Sequence, residues 1–153
     1  MQTFIIQLIC AFAGSAGFAL VFHINRNCVL PAAFGGFISW AVYLLTEAVT
    51  GGFMLPCFVG ALAAGIWSEV MARIFKKPAT VFLISGIIPL IPGSTCYATM
   101  NSLVNGDILE GLQHGNVLVL SMVFIALGTS AVSAFLYTVQ CIRKDSAARR
   151  NGC

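Results

Sequence analysis

Apolar residues run along this chain in five long blocks, separated by short polar or glycine-rich interruptions. The blocks cover about 3–22, 31–49, 53–75, 79–104 and 117–140. Each holds near the ~20 residues that a helix needs to cross a bilayer. They are long and do not alternate, which fits helices and not the strands of a membrane barrel. Pro31 stands where a first helical position is expected, and Thr50-Gly51-Gly52 reads as a tight turn joining spans two and three into a helical hairpin. Pro78 opens span four, and Asn105 to Asn116 reads as a polar loop before span five. The predicted fold is all-α and polytopic: a single membrane domain over 1–153, about five transmembrane helices with the fourth broken at Pro89–Gly93, and a basic tail over 141–153.

Composition excludes a water-soluble globule. The 153 residues are 59% hydrophobic and only 8% charged, with a mean hydropathy of +0.94, whereas soluble domains carry about a quarter charged residues. Met1-Gln2-Thr3 bears no side-chain charge, and the apolar run after it exceeds the ~7–15 residues of a signal-peptide core, so it reads as a retained first span. Five crossings place Arg26, the group Arg73, Lys76 and Lys77, and the group Arg143, Lys144, Arg149 and Arg150 on one side, which accounts for all 8 basic residues. Asp107 and Glu110 fall on the other. Basic loops stay inside, so the N-terminus is expected outside and the C-terminus in the cytoplasm. The tail then reads as an anchor at the lipid surface and not as a nucleic-acid arm. The six cysteines are scattered without a C-x-x-C pair, and His23 and His114 lie far apart, so no metal or cofactor is expected. No hydrolase or metalloprotease motif points to an enzyme.

Small residues recur at close-packing spacing: Ala13 and Gly17; Gly60 with Ala64 and Ala61 with Gly65; Ala126, Ser130 and Ala134. Such faces let helix backbones approach, within the bundle or against a partner.

Span four carries the main candidate site. Pro89-Leu90-Ile91-Pro92-Gly93 interrupts it near its middle. Proline has no N–H, so the carbonyls of Ser85 and Ile88 are expected to lose their helical donors. Ile88 and Ile91 are pushed toward extended geometry, and Gly93 accepts nearly any backbone angle. Ser94 or Thr95 is then expected to cap a second half-helix. Two helix ends would meet inside the membrane, one offering carbonyls and the other N–H groups. The N–H end suits a carboxylate and the carbonyl end an ammonium group or cation. Ser94, Tyr97 and Asn101 share one side of the second half-helix, with Thr95, Thr99 and Ser102 beside them. The bland alternative is a proline kink satisfied by neighbouring helices.

Three further features stand out. Glu47, near the outer end of span two, is a candidate for proton coupling, or else reaches the outer interface. Trp40 and Tyr43, close by, read as packing residues. Glu69 and Arg73, four residues apart near the cytoplasmic end of span three, read as an ion pair.

Several segments resemble the threonine/serine exporter family: Gly17-Phe18-Ala19-Leu20-Val21-Phe22, Gly60 through Ser68, and above all Pro78 to Met100, where P-x-x-P-G is followed four residues on by Tyr97. The likeness is to the short five-span subunit of the two-component form. It implies a bacterial inner-membrane exporter that works with a larger homologous subunit, as a homo-oligomer, or both. It implies small carboxylate solutes: threonine and serine, or a dicarboxylate such as succinate. The first reading is therefore a proton-coupled secondary exporter subunit whose substrate contacts are Pro89, Pro92, Gly93, Ser94, Thr95, Tyr97 and Asn101, with Glu47 in proton coupling. The second is a non-transporting membrane subunit that assembles a larger complex.

Overall fold

A computed structural model describes residues 2–150. Helix α1 spans Gln2–Val21, α2 Arg26–Thr50, α3 Met54–Phe75 and α4 Ala79–Ile87; a 3-10 turn at Ile88–Leu90 leads through the break to α5, Gly93–Val104, and α6 spans Ile108–Arg150. No strand occurs among the described residues. Among the described residues, four stretches are long and apolar enough to cross a membrane: Thr3–Val21, Arg26–Thr50, Met54–Phe75 and Ile108–Thr138. The α4 and α5 segments, bent by 55° at the break, make a fifth if they cross as one. The chain is a multi-pass, all-helical membrane protein.

Three boundaries differ from expectation for local reasons. Helix α2 starts at Arg26, so Pro31 lies inside it and not at its first position. The loop expected over Asn105 to Asn116 shrinks to Asn105–Asp107, because Ile108 already begins α6. Gly111, which reads as a loop residue, is a point of close approach in α6: a Cβ there would lie 2.9 Å from Leu103 Cδ2, whereas one on Gly115 would make only an ordinary contact, 3.5 Å from Thr99 Cγ2. The expected basic tail continues α6 as far as Arg150. Residues 151–153, and the side chains of 139–141 and 143–150, lie outside the described structure.

The hairpin turn forms as expected. Gly51 takes a left-handed φ of 66° and donates its N–H to Glu47 O at 2.9 Å, a conformation that glycine adopts at no steric cost. Helix α3 is central, packing against α2, α4 and α6. Its small residues Gly60, Ala61, Ala64 and Gly65 are all buried. In α1 the buried stripe is Ala11, Ser15 and Ala19, one face at i, i+4 and i+8. The expected pair Ala13 and Gly17 points outward. In α6 the inward face is Ser121, Ile125, Gly128 and Val132, while Ala126, Ser130 and Ala134 are exposed. Two apolar clusters close the bundle. One joins Ala19, Cys28, Ala32, Ala72 and Phe82. The other joins Cys57, Ala61, Leu90 and Ile125 directly beneath the break.

The break is held from several sides. Gly86 lies in the last turn of α4, where carbonyls have no donor within their own helix. Ser39 on α2 donates to Gly86 O at 2.7 Å, sharing its proton with Gly36 O at 3.0 Å. Leu90 is seated against α3, where a Cβ on Gly60 would come within 2.9 Å of Leu90 Cδ2. A Cβ on Gly36 would meet Ser15 Oγ and lie 3.2 Å from Pro89 Cγ. Ser39→Ala should therefore leave the Gly86 carbonyl buried and unsatisfied, at a cost of about 1–3 kcal/mol. A lowered midpoint in thermal unfolding of the detergent-solubilised protein is the expected result. An unchanged midpoint would mean that Gly86 finds another donor.

Candidate functional site

The backbone through the break follows the two prolines. Ile91 is extended, with φ −67° and ψ 120°, as the proline after it requires. Ile88 is not: it stays helical at φ −53° and ψ −46°, because Pro89 enters the start of a 3-10 turn whose φ suits its ring. The Ile88 carbonyl, which loses Pro92 as a donor, takes the N–H of Ile91 at 3.2 Å. Pro92, at φ −76° and ψ 69°, forms an inverse γ-turn closed by Gly93 N–H to Ile91 O at 2.8 Å.

That turn starts α5 earlier than expected. Gly93 is its first residue, Pro92 occupies the cap, and no side chain caps it. Ser94 and Thr95 are thus not caps. They are first-turn residues, and among the described residues neither N–H has a backbone acceptor; the first N–H bonded back to Pro92 is that of Cys96, at 3.0 Å. On the other side of the break, no backbone N–H among the described residues donates to the carbonyls of Pro89 or Leu90.

A cavity of about 440 Å³ opens onto this segment. Pro89 through Thr95 form one wall, Trp40 and Tyr43 of α2 and Phe53 and Cys57 at the head of α3 form others, and Val117 and Ser121 of α6 close it. The Trp40 and Tyr43 rings stack at 4.9 Å and 8°. Trp40 Nε1 is buried and has no hydrogen-bond partner among the described residues. A buried N–H without an acceptor costs about 1–3 kcal/mol, and Trp40 also borders a smaller cavity with Gln7, Cys10 and Pro89. Ser121 Oγ donates to Val117 O at 2.8 Å within its own helix, which leaves its oxygen as an acceptor. None of the lining side chains is charged. Among the described residues, no three of His, Cys, Asp and Glu gather to hold a metal.

The structure brings together Pro89, Pro92, Gly93, Ser94 and Thr95 and leaves three expected residues outside the cavity. Tyr97 is 73% exposed and Asn101 is exposed beside it. Helix α5 packs against α6, and it turns Thr99 and Ser102 inward and the Tyr97–Asn101 face outward. Glu47 is exposed near the end of α2, one turn past Tyr43. Eight lining residues were not among the expected contacts: Leu90 and Ile91 between the prolines, and Trp40, Tyr43, Phe53, Cys57, Val117 and Ser121 from elsewhere in the chain. Trp40 and Tyr43, three apart on the helix that leads to the glycine hairpin, carried the one readable signal.

Comparison with known proteins agrees with this architecture. The profile described as "Threonine/Serine exporter, ThrE" matches residues 7–135, which include the whole break and every lining residue. A relative named "Threonine/serine exporter" in Corynebacterium glutamicum is 26% identical over 108 residues, 71% of this chain. The match covers 22% of that relative's length. No solved structure matches. A family profile that runs from α1 well into α6 assigns the chain as a whole, and the chain belongs to the threonine/serine exporter family.

Proposed function

We propose that this chain is a membrane subunit of a secondary exporter for small carboxylates, with the cavity at the helix break as its substrate site. The observation that carries this reading is the pair of free donors at a charge-free wall, the N–H groups of Ser94 and Thr95 at the start of α5; the indole N–H of the wall residue Trp40, buried and unpartnered among the described residues, is read as a third. A helix N-terminus favours an anion without a formal positive charge nearby. The carbonyls of Pro89 and Leu90, at the end of the first half, suit an ammonium group. A zwitterionic hydroxy-amino acid such as threonine or serine thus has a partner for each charge. Succinate would bring two carboxylates to a cavity with no cation, which makes it the second candidate.

Glu47 is the candidate for proton coupling, since it lies one helical turn from Tyr43 of the cavity wall. The orientation follows the basic residues, with the N-terminus outside and the C-terminus in the cytoplasm of a bacterial inner membrane. A larger homologous subunit or a second copy would cover the outward polar face of α5, Tyr97 and Asn101. Those exposed polar residues and the outward small-residue stripes of α1 and α6 equally suit the second reading, a subunit that assembles a complex without itself binding solute.

Efflux decides between them. The chain is co-expressed with a larger family subunit in cells lacking other exporters, and export of threonine, serine and succinate is followed. Trp40→Phe, which keeps the ring and deletes the donor, should raise the half-saturating concentration about tenfold, the value of one charge-assisted hydrogen bond. Efflux that needs this chain but ignores Trp40→Phe would move the site elsewhere. Efflux indifferent to the chain would favour the assembly role.

A further inference from the structure

We propose that the groove between α3 and α6 is a site for one phospholipid with a primary-ammonium headgroup, its phosphate held by Arg73 and its ammonium by Glu69. The groove has a volume of about 560 Å³. Leu62, Ile66 and Val70 of α3 and Val132 and Phe135 of α6 form its apolar walls. Its floor is tight, since a Cβ on Gly65 would lie 3.0 Å from Val132 Cγ2. It opens outward: Ile66 is 57% and Phe135 69% exposed.

Its length selects a lipid chain over a crossing helix. From Leu62 to Val70 the apolar stretch of the groove follows α3 for about 12 Å at the helical rise of ~1.5 Å per residue. That fits within half of a hydrocarbon core of ~30 Å, the depth of one leaflet. The charged residues sit at one end only. Glu69 and Arg73 line the groove there, and α3 ends two residues later at Phe75, before Lys76 and Lys77. This is the depth at which headgroups lie.

The two charges explain the headgroup. Glu69 and Arg73 are four apart on one helix, yet no ion pair within 4.0 Å joins them among the described residues. Each therefore keeps its hydrogen-bonding capacity for a third party. Glu69 is half-buried in an apolar wall, where a carboxylate needs a hydrogen-bonded cation. A guanidinium suits a phosphate through paired N–H donors. A primary ammonium next to a phosphate satisfies both. A choline headgroup has no N–H to offer Glu69, and a glycerol headgroup has no cation.

The test is lipid competition. The full chain is placed in bilayers with equal amounts of phosphatidylethanolamine, phosphatidylcholine and phosphatidylglycerol of identical acyl chains. It is then extracted in mild detergent, and the retained lipid is measured by native mass spectrometry. One phosphatidylethanolamine per chain, held about tenfold over the other two, is expected from one added charge-assisted hydrogen bond. Glu69→Gln should bring phosphatidylethanolamine and phosphatidylcholine to parity. Arg73→Ala should lower all three, and Ile66→Trp should displace all three by filling the groove. Equal retention of the three lipids by the unaltered chain overturns the proposal even if every variant fails to fold. So does a preference for phosphatidylglycerol, or a lipid-free dimer.

Discussion

Gly93→Leu should reduce efflux by about two orders of magnitude or more while leaving the helical bundle intact. Gly93 begins α5 and lines the cavity, and a Cβ built on it meets nothing within 4 Å. A leucine there has room to grow into the cavity mouth, beside the N–H groups of Ser94 and Thr95. It replaces the poorest ordinary helix former with a good one, so insertion and folding should not suffer. The solute would lose both backbone donors at once. Two hydrogen bonds to a charged group are worth about 1.5–3 kcal/mol each, and every 1.4 kcal/mol is tenfold in binding. Gly93→Ala, which adds one methyl group, should cost far less. Export is measured beside the helical circular dichroism and membrane level of each variant. Normal export by a well-inserted leucine variant would remove the break from the substrate path. Lost export with lost insertion would show instead that Gly93 is needed for the fold.

The contrast between what was and was not legible follows from how each kind of information is written in a chain. Spans, the hairpin at Gly51 and the break at Pro89–Gly93 are local: hydropathy, a left-handed glycine and the missing proline N–H act within a few residues. The cavity's far walls are not local. Phe53 and Cys57 lie well before the break in sequence and Val117 and Ser121 well after it, and only the packing of α3 and α6 brings them together. The polar stripe of α5 was readable as a stripe, but its direction was not. Two neighbouring faces, Ser94–Tyr97–Asn101 and Thr95–Thr99–Ser102, were equally polar, and the contact with α6 turned the second inward. Gly111 is illegible for the same reason, since a glycine that admits a neighbouring helix has the same letter as a glycine in a loop. Trp40 reads in sequence as a packing residue, and its stacking on Tyr43 fits that reading. Its unpartnered nitrogen became visible only once the surrounding helices were in place.

The close packing of α3 and α6 also sets the second large effect. Gly128→Ala should destabilise the protein by about 2–3 kcal/mol, the upper part of the range for adding atoms to a packed site. A Cβ on Gly128 would lie 2.7 Å from Phe58 O, 2.9 Å from Ala61 Cβ and 3.3 Å from Leu62 N. Two of these neighbours belong to the backbone of a central helix and cannot rotate away, so α6 itself must shift. Gly14→Ala and Gly17→Ala are the matched controls. Neither Cβ meets anything within 4 Å, and both should be neutral or stabilising by up to ~1 kcal/mol through helix propensity. The comparison separates a glycine kept for close approach from glycines that merely occupy a span. It also bears on transport, because α6 carries Val117 and Ser121 to the cavity. A shift that relieves Gly128→Ala should widen the site several turns away. Gly128→Ala should therefore weaken solute recognition as well as lower the unfolding midpoint, whereas Ser39→Ala, which acts on α4 at the other side of the break, should lower the midpoint by less. A midpoint unchanged by Gly128→Ala would mean that α3 and α6 can separate at little cost, and the cavity would then lack the rigid wall on which the proposed carboxylate recognition depends.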